Sequence, residues 1–234
     1  MGLSFTGNYT FSHMTSTSDE GANRWIGALS AGEPQDKNNL RAEQSVGAND
    51  TPQRLVVAAI YELPFGRGRQ FGQHMNRILD GIVGGWKLNS FVTLQSGQPI
   101  TVYMSRNRLS GGQQRPNLSG DPCGGVSIDA VVNGTANYFN AAAFSNPGDQ
   151  TPGSAPRYLS GCRVPGIHNL DQGISKSFTI REGKFVEVRA EFFNFLNTPR
   201  FSAPGHAFGS GSFGVISSQA NAPRHGQIGA RFVF

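Results

Sequence analysis

The sequence predicts an all-β fold, an antiparallel up-and-down meander of about six strands. Three observations predict it. Apolar and polar residues alternate with period two over several stretches of about ten residues, which gives each stretch two unlike faces. The connections between these stretches alternate between long and short. The chain also carries 31 Gly and 17 Phe but only 4 Met and 15% charged residues, a balance that favours strands and turns over helices.

In the first strand, Leu3, Phe5, Gly7, Tyr9 and Phe11 alternate with Ser4, Thr6, Asn8, Thr10 and Ser12. Residues 15–53 then turn polar, with no sustained period. Leu55, Val57, Ala59, Tyr61 and Leu63 form one face of a second strand, which stops at the breaker cluster Pro64-Phe65-Gly66-Arg67-Gly68. Met75, Ile78, Leu79 and Ile82 have helical spacing, enough for one or two turns of a packed connector. A third strand sets Trp86, Leu88, Ser90, Val92 and Leu94 against Lys87, Asn89, Phe91, Thr93 and Gln95, and is expected to run on through Pro99 to about Tyr103. A long irregular region spans 105–166.

The fourth strand covers Leu170 to Ile180, with Asp171, Gly173, Ser175, Ser177 and Thr179 on its polar face. Arg181-Glu182-Gly183-Lys184 is a tight turn. In the fifth strand Val186, Val188, Ala190 and Phe192 share one face, and Glu187, Arg189 and Glu191 share the other. A Gly/Pro loop runs from 197 to 224. The last strand alternates Ile228, Ala230, Phe232 and Phe234 with Gln227, Gly229, Arg231 and Val233.

Every long connection falls on one side of this meander, and every shorter one, with the C-terminus, on the other. A terminal carboxylate directly after an apolar strand suits a membrane–water interface better than a soluble core. Together these features describe part of a transmembrane β-barrel with long external loops. Mean hydropathy is only −0.32, as a barrel with a polar lumen allows. No apolar run reaches the length of a membrane-spanning helix.

Other classes find little support. The net charge is +5 and the basic residues are scattered, so nucleic acid is not expected as a partner. His13, His74, His168, His206 and His225 lack metal-ligand spacing, and no metal or cofactor is expected. Gly209-Ser-Gly-Ser-Phe-Gly214 matches a dinucleotide-binding pattern but follows Pro204-Gly205 rather than a strand, and reads as a flexible loop. No serine lies in a nucleophile-elbow motif, and no catalytic residue is assigned. Cys123 and Cys162 are compatible with one loop disulfide in an oxidising compartment or with two free thiols.

Several short motifs occur in a fixed order. They are Tyr61-Glu-Leu-Pro-Phe-Gly-Arg-Gly68, Gly84-Gly-Trp86, Gln95-Ser-Gly-Gln-Pro99, Tyr138-Phe-Asn-Ala-Ala-Ala-Phe144, Asn169-Leu-Asp171 and Arg189-Ala-Glu-Phe-Phe-Asn-Phe-Leu-Asn197, before a final Phe. In these the chain resembles the C-terminal barrel portion of Oar-like TonB-dependent outer-membrane transporters. The resemblance implies a barrel of about 22 strands with a plugged lumen, in the bacterial outer membrane, taking up large solutes as TonB pulls on the plug. Signal peptide, carboxypeptidase-regulatory-like domain, plug and TonB box have no counterpart in the sequence. The expectation is therefore a C-terminal segment, 1–234, of a longer polypeptide.

The partners this implies are outer-membrane lipid, the rest of the barrel and its plug, the barrel-assembly machinery and, through the plug, TonB. Phe234, Phe232, Ala230 and Ile228 would carry the barrel-assembly signal and form the closing seam. Val186, Val188, Ala190, Phe192, Trp86 and Leu88 are expected to face lipid, and Glu187, Arg189, Glu191 and Lys87 the lumen. An Arg facing lipid near the midplane would cost about 2–4 kcal/mol. The competing expectation is a secreted or surface all-β module whose loops bind a ligand, and it would be soluble without detergent.

Overall fold

The computed structural model describes residues 2–18 and 29–234. Met1 and residues 19–28 of the first long connection lie outside the described residues. Six strands form one antiparallel sheet: β1 (Leu3–Phe11), β2 (Gln53–Glu62), β3 (Trp86–Gln95), β4 (Ile167–Arg181), β5 (Lys184–Phe193) and β6 (His225–Val233). They are hydrogen-bonded in chain order, so the sheet is an up-and-down meander with β1 and β6 as its edges. All six have at least the 9–11 residues that a tilted transmembrane strand needs.

The register carries the tilt. Leu3, at the start of β1, shares a transverse row with Tyr61, Leu88, Ile174, Ala190 and Ile228. Ile228 lies well inside β6 rather than at its end. The strand ends therefore step along the register from one edge to the other. This stagger is the shear that a barrel's tilted strands require.

Connections 12–52, 96–166 and 194–224 leave from one end of the sheet, and 63–85 and the two-residue turn at Glu182-Gly183 from the other. Gly183 has φ of +73°, the left-handed conformation such a turn needs. The third strand is shorter than the alternation predicts: it ends at Gln95. The chain breaks away there because Gly97 packs against the Val164 carbonyl so closely that a Cβ would lie 1.6 Å from the oxygen. Pro99–Ile100 instead pairs with Leu159–Arg163, and Tyr103–Met104 runs parallel to Ala207–Phe208.

The three long connections fold on one another into a cap, and the buried apolar core of the molecule lies there rather than on the sheet. Ile100, Val102, Phe139, Phe144, Leu159 and Phe213 pack together. Phe213 stacks on Phe139 at 4.9 Å between centroids and meets Phe144 edge-on at 5.5 Å. The 209–214 glycine segment expected to be a flexible loop thus contributes a buried ring. A second cluster joins Ala31, Val46 and Ala48 to Tyr158. The region 105–166, expected to be irregular, also carries the short helix α2 (Ile128–Val132) and short paired strands. A helix labelled α1 (Arg77–Val83) follows the Asn76 cap in the connection between β2 and β3.

Candidate membrane interface and lumen-side site

Strand alternation fixes which side chains share a face, and the register extends that assignment across the sheet. One face collects the predicted Trp86 and Leu88 of β3, Val186, Val188, Ala190 and Phe192 of β5, and Ile228, Ala230 and Phe232 of β6. Phe5, Tyr9, Val57, Val92, Leu170 and Ile174 complete it from the other strands. Aromatic rings gather towards both ends: Tyr9, Phe11 and Phe192 near the cap, Tyr61, Trp86, Phe178 and Phe232 near the turns. Ile228 is 84% exposed and Phe232 53%, although both are apolar. Phe234 follows β6 and stacks on Phe232 at 5.6 Å.

Lys176 also stands on this apolar face, in the row of Trp86, Val188 and Ala230. It is only 5% exposed. Its ammonium donates to the Asp80 carbonyl at 3.3 Å and to the Gly81 carbonyl, both in α1. The carbonyls of a helix's last turn carry negative partial charge and suit a cation. The Trp86 and Phe178 rings lie 5.7 and 5.0 Å from the ammonium.

The other face holds the predicted Lys87, Glu187, Arg189 and Glu191, with Asn89, Asp171, Ser175, Gln227 and Arg231. Several of its polar groups are paired. Lys87 and Arg69 both reach Glu62 at 3.2 Å. Gln227 donates to Glu191 at 2.6 Å, Arg189 lies 3.9 Å from Glu191, and Glu187 sits directly across from Arg231. Where this face meets the cap, a cleft of about 410 Å³ is lined by Thr93, Asn169, Asp171, Phe193, Arg200 and His225. Its lining of amide, carboxylate, guanidinium and imidazole groups can hydrogen-bond a polar solute.

Sequence reasoning missed the polar frame of the cap. Arg115, 2% exposed, grips Glu43, 1% exposed, through bonds of 2.6 and 3.0 Å. Arg115 Nε also donates to the Ala155 carbonyl, and Gln35 accepts from the Arg115 and Gly153 amides. Asp50 accepts from the Met14 amide at 2.7 Å and pairs with Arg163, which also donates to the Gly97 carbonyl. Burial pushes the Tyr138 phenol pKa up, and its O–H donates to the Arg163 carbonyl. Burial likewise holds the His206 imidazole below its usual range, its ring set edge-on to Tyr103 at 5.1 Å. Cys123 and Cys162 form a disulfide across the cap core. Among the described residues no group of three or more His, Cys, Asp or Glu side chains is placed to hold a metal ion.

The family model of an outer membrane beta barrel domain matches residues 1–227. No curated protein and no solved structure matches the chain. The match covers β1 to β5 and ends within the first three residues of β6, and the sheet has the strand length, stagger and two-faced pattern of a barrel wall. The chain therefore belongs to the outer membrane beta barrel domain family, as a segment of barrel wall in the bacterial outer membrane.

Proposed function

We propose that this chain is the C-terminal wall and external cap of a TonB-dependent transporter or receptor for large solutes. The observation that carries this reading is the pairing of a tilted, two-faced sheet with a cap whose lower side opens on the polar face. The cleft of Thr93, Asn169, Asp171, Arg200 and His225 lies where a solute would pass from the external loops to the lumen. The ordered sequence motifs that resemble Oar-like transporters support the same reading.

The apolar face, including Val188 and Phe232, contacts lipid. The face carrying Lys87, Glu187, Arg189 and Glu191 lines a wet lumen or touches a plug. Six strands fall short of the eight of the smallest common barrel, so β1 and β6 pair with further strands of the full wall. Phe234 and the apolar face of β6 present the signal to the barrel-assembly machinery. TonB acts through the plug. The chain itself catalyses no reaction; it binds and passes solute.

The reading frame upstream of the Met1 codon provides the test. It is expected to stay open and to encode further alternating strands, a plug, a TonB box and a signal peptide. A stop codon close upstream would remove the transport assignment from this chain.

A further inference from the structure

Helix α1 stands out because its apolar residues point the wrong way for a soluble connector. Ile78, Leu79, Ile82 and Val83 form one stripe at i, i+1, i+4 and i+5, and are 77%, 47%, 64% and 36% exposed. Asp80 lies on the opposite side and accepts from the Arg67 amide at 2.7 Å. The helix is thus tied down by its polar side and shows its apolar side outward. Seven residues are too few for a helix to persist in water unaided.

The attachment points fix where it lies. Trp86 Nε1 donates to the Ile82 carbonyl at 2.8 Å. Lys176 holds the Asp80 and Gly81 carbonyls. Both side chains rise from the apolar face of the sheet, in the row of Val188 and Ala230. The helix therefore rides on the lipid side of the wall, at its turn end, beside the aromatic rings of Tyr61, Trp86 and Phe178. Arg67 and Arg77 line an adjoining cleft of about 410 Å³ with Asp80, Lys176 and Phe178; Arg69 also borders it but is paired with Glu62. Cations around an otherwise apolar, outward-facing patch match a phospholipid, with its anionic phosphate above its acyl chains.

We propose that α1 is an interfacial helix that seats Ile78, Leu79, Ile82 and Val83 among the acyl chains of the phospholipid leaflet at the turn side of the wall. Its basic cleft meets the phosphates of that leaflet. Lys176 is the bracket: it could not stand buried on a lipid-facing row without carbonyl partners, and α1 supplies them. The apolar stripe continues the face of the sheet that the proposed function turns to lipid, and the inference rests on that reading.

The test uses the chain within its complete barrel, as the full-length polypeptide that supplies the partners of β1 and β6, in vesicles of phosphatidylethanolamine and phosphatidylglycerol with brominated acyl chains. Single Ile78→Cys and Ile82→Cys variants carry an environment-sensitive fluorophore, the native cysteines being closed in their disulfide. Val188→Cys on the sheet serves as the lipid reference and Glu182→Cys in the tight turn as the aqueous one. The expected result is blue-shifted emission, quenched by bromolipid, at 78, 82 and 188 but not at 182. Quenching at 188 with water-like emission at 78 and 82 overturns the helix proposal alone. Water-like emission at 188 as well overturns the membrane placement of the sheet with it. Lys176→Met is expected to reduce quenching at 82 and leave 188 unchanged; equal quenching at 82 would remove Lys176 from the bracket role.

Discussion

The most consequential single contact is the buried pair of Glu43 and Arg115, which joins the first long connection to the second. Removing one member of such a pair leaves a charge in a dry site, and costs about 3–5 kcal/mol. Glu43→Gln is therefore expected to unfold the cap, read as a loss of protease resistance in 96–166 with the sheet retained. Arg108→Ala, which breaks an exposed pair with Asp149, should cost at most about 1 kcal/mol. His206 adds a pH response. Its folded pKa lies below the unfolded value, so the unfolded cap takes up the proton first. Cap stability is full above the usual histidine pKa of 6.5 and falls as the pH drops below it. Protease resistance should decline from neutral pH to pH about 5, and His206→Phe should flatten that decline. None of these residues was legible in the sequence. Glu43, Asp50, Arg115 and Arg163 follow no period, and their contacts join positions up to more than a hundred residues apart; Arg157 reaches Ser16 across 141.

At the scale of elements the opposite holds. The strands could be read because a strand in two media repeats every second residue, and that signal is local. The faces assigned from Glu187, Arg189 and Glu191 on one side, and Val186, Val188 and Phe192 on the other, coincide with rows that cross the whole sheet. Element ends were less legible: the third strand stops at Gln95 because of a backbone approach between Gly97 and Val164, which no alternation encodes. Gly97→Ala should be strongly destabilising for the same reason, since the added methyl would meet backbone rather than a movable side chain. Two charge insertions separate the faces. Val188→Arg places a cation on the apolar face and is expected to cost about 2–4 kcal/mol of folding stability in lipid, read from urea titration of the complete barrel in vesicles. Gln227→Arg places one beside Glu191 on the polar face and should be near neutral.

For the whole molecule, the two parts obey different physics. The cap is held as a soluble domain is, by an aromatic core, buried ion pairs and a disulfide. That disulfide spans 39 residues and, on the chain-entropy model, contributes about 4 kcal/mol. The sheet has no such core; apart from α1 its apolar face carries no packed layer, and the proposed function completes that side with lipid. Its edges β1 and β6 present unpaired backbone groups, which no bilayer can satisfy. The proposed function gives Phe234 a part in their completion. Phe234 is 87% exposed beyond the last strand and contributes little to the fold itself beyond its stack on Phe232. Its deletion should leave the cap's protease resistance intact and yet impair insertion of the protein into the outer membrane. Electrophoresis without boiling reads this directly: the folded, heat-modifiable barrel band should fall while total protein in the cell does not. An undiminished band after the deletion would mean that β6 is recognised by its edge and apolar face alone, and Phe234 would have no part in assembly.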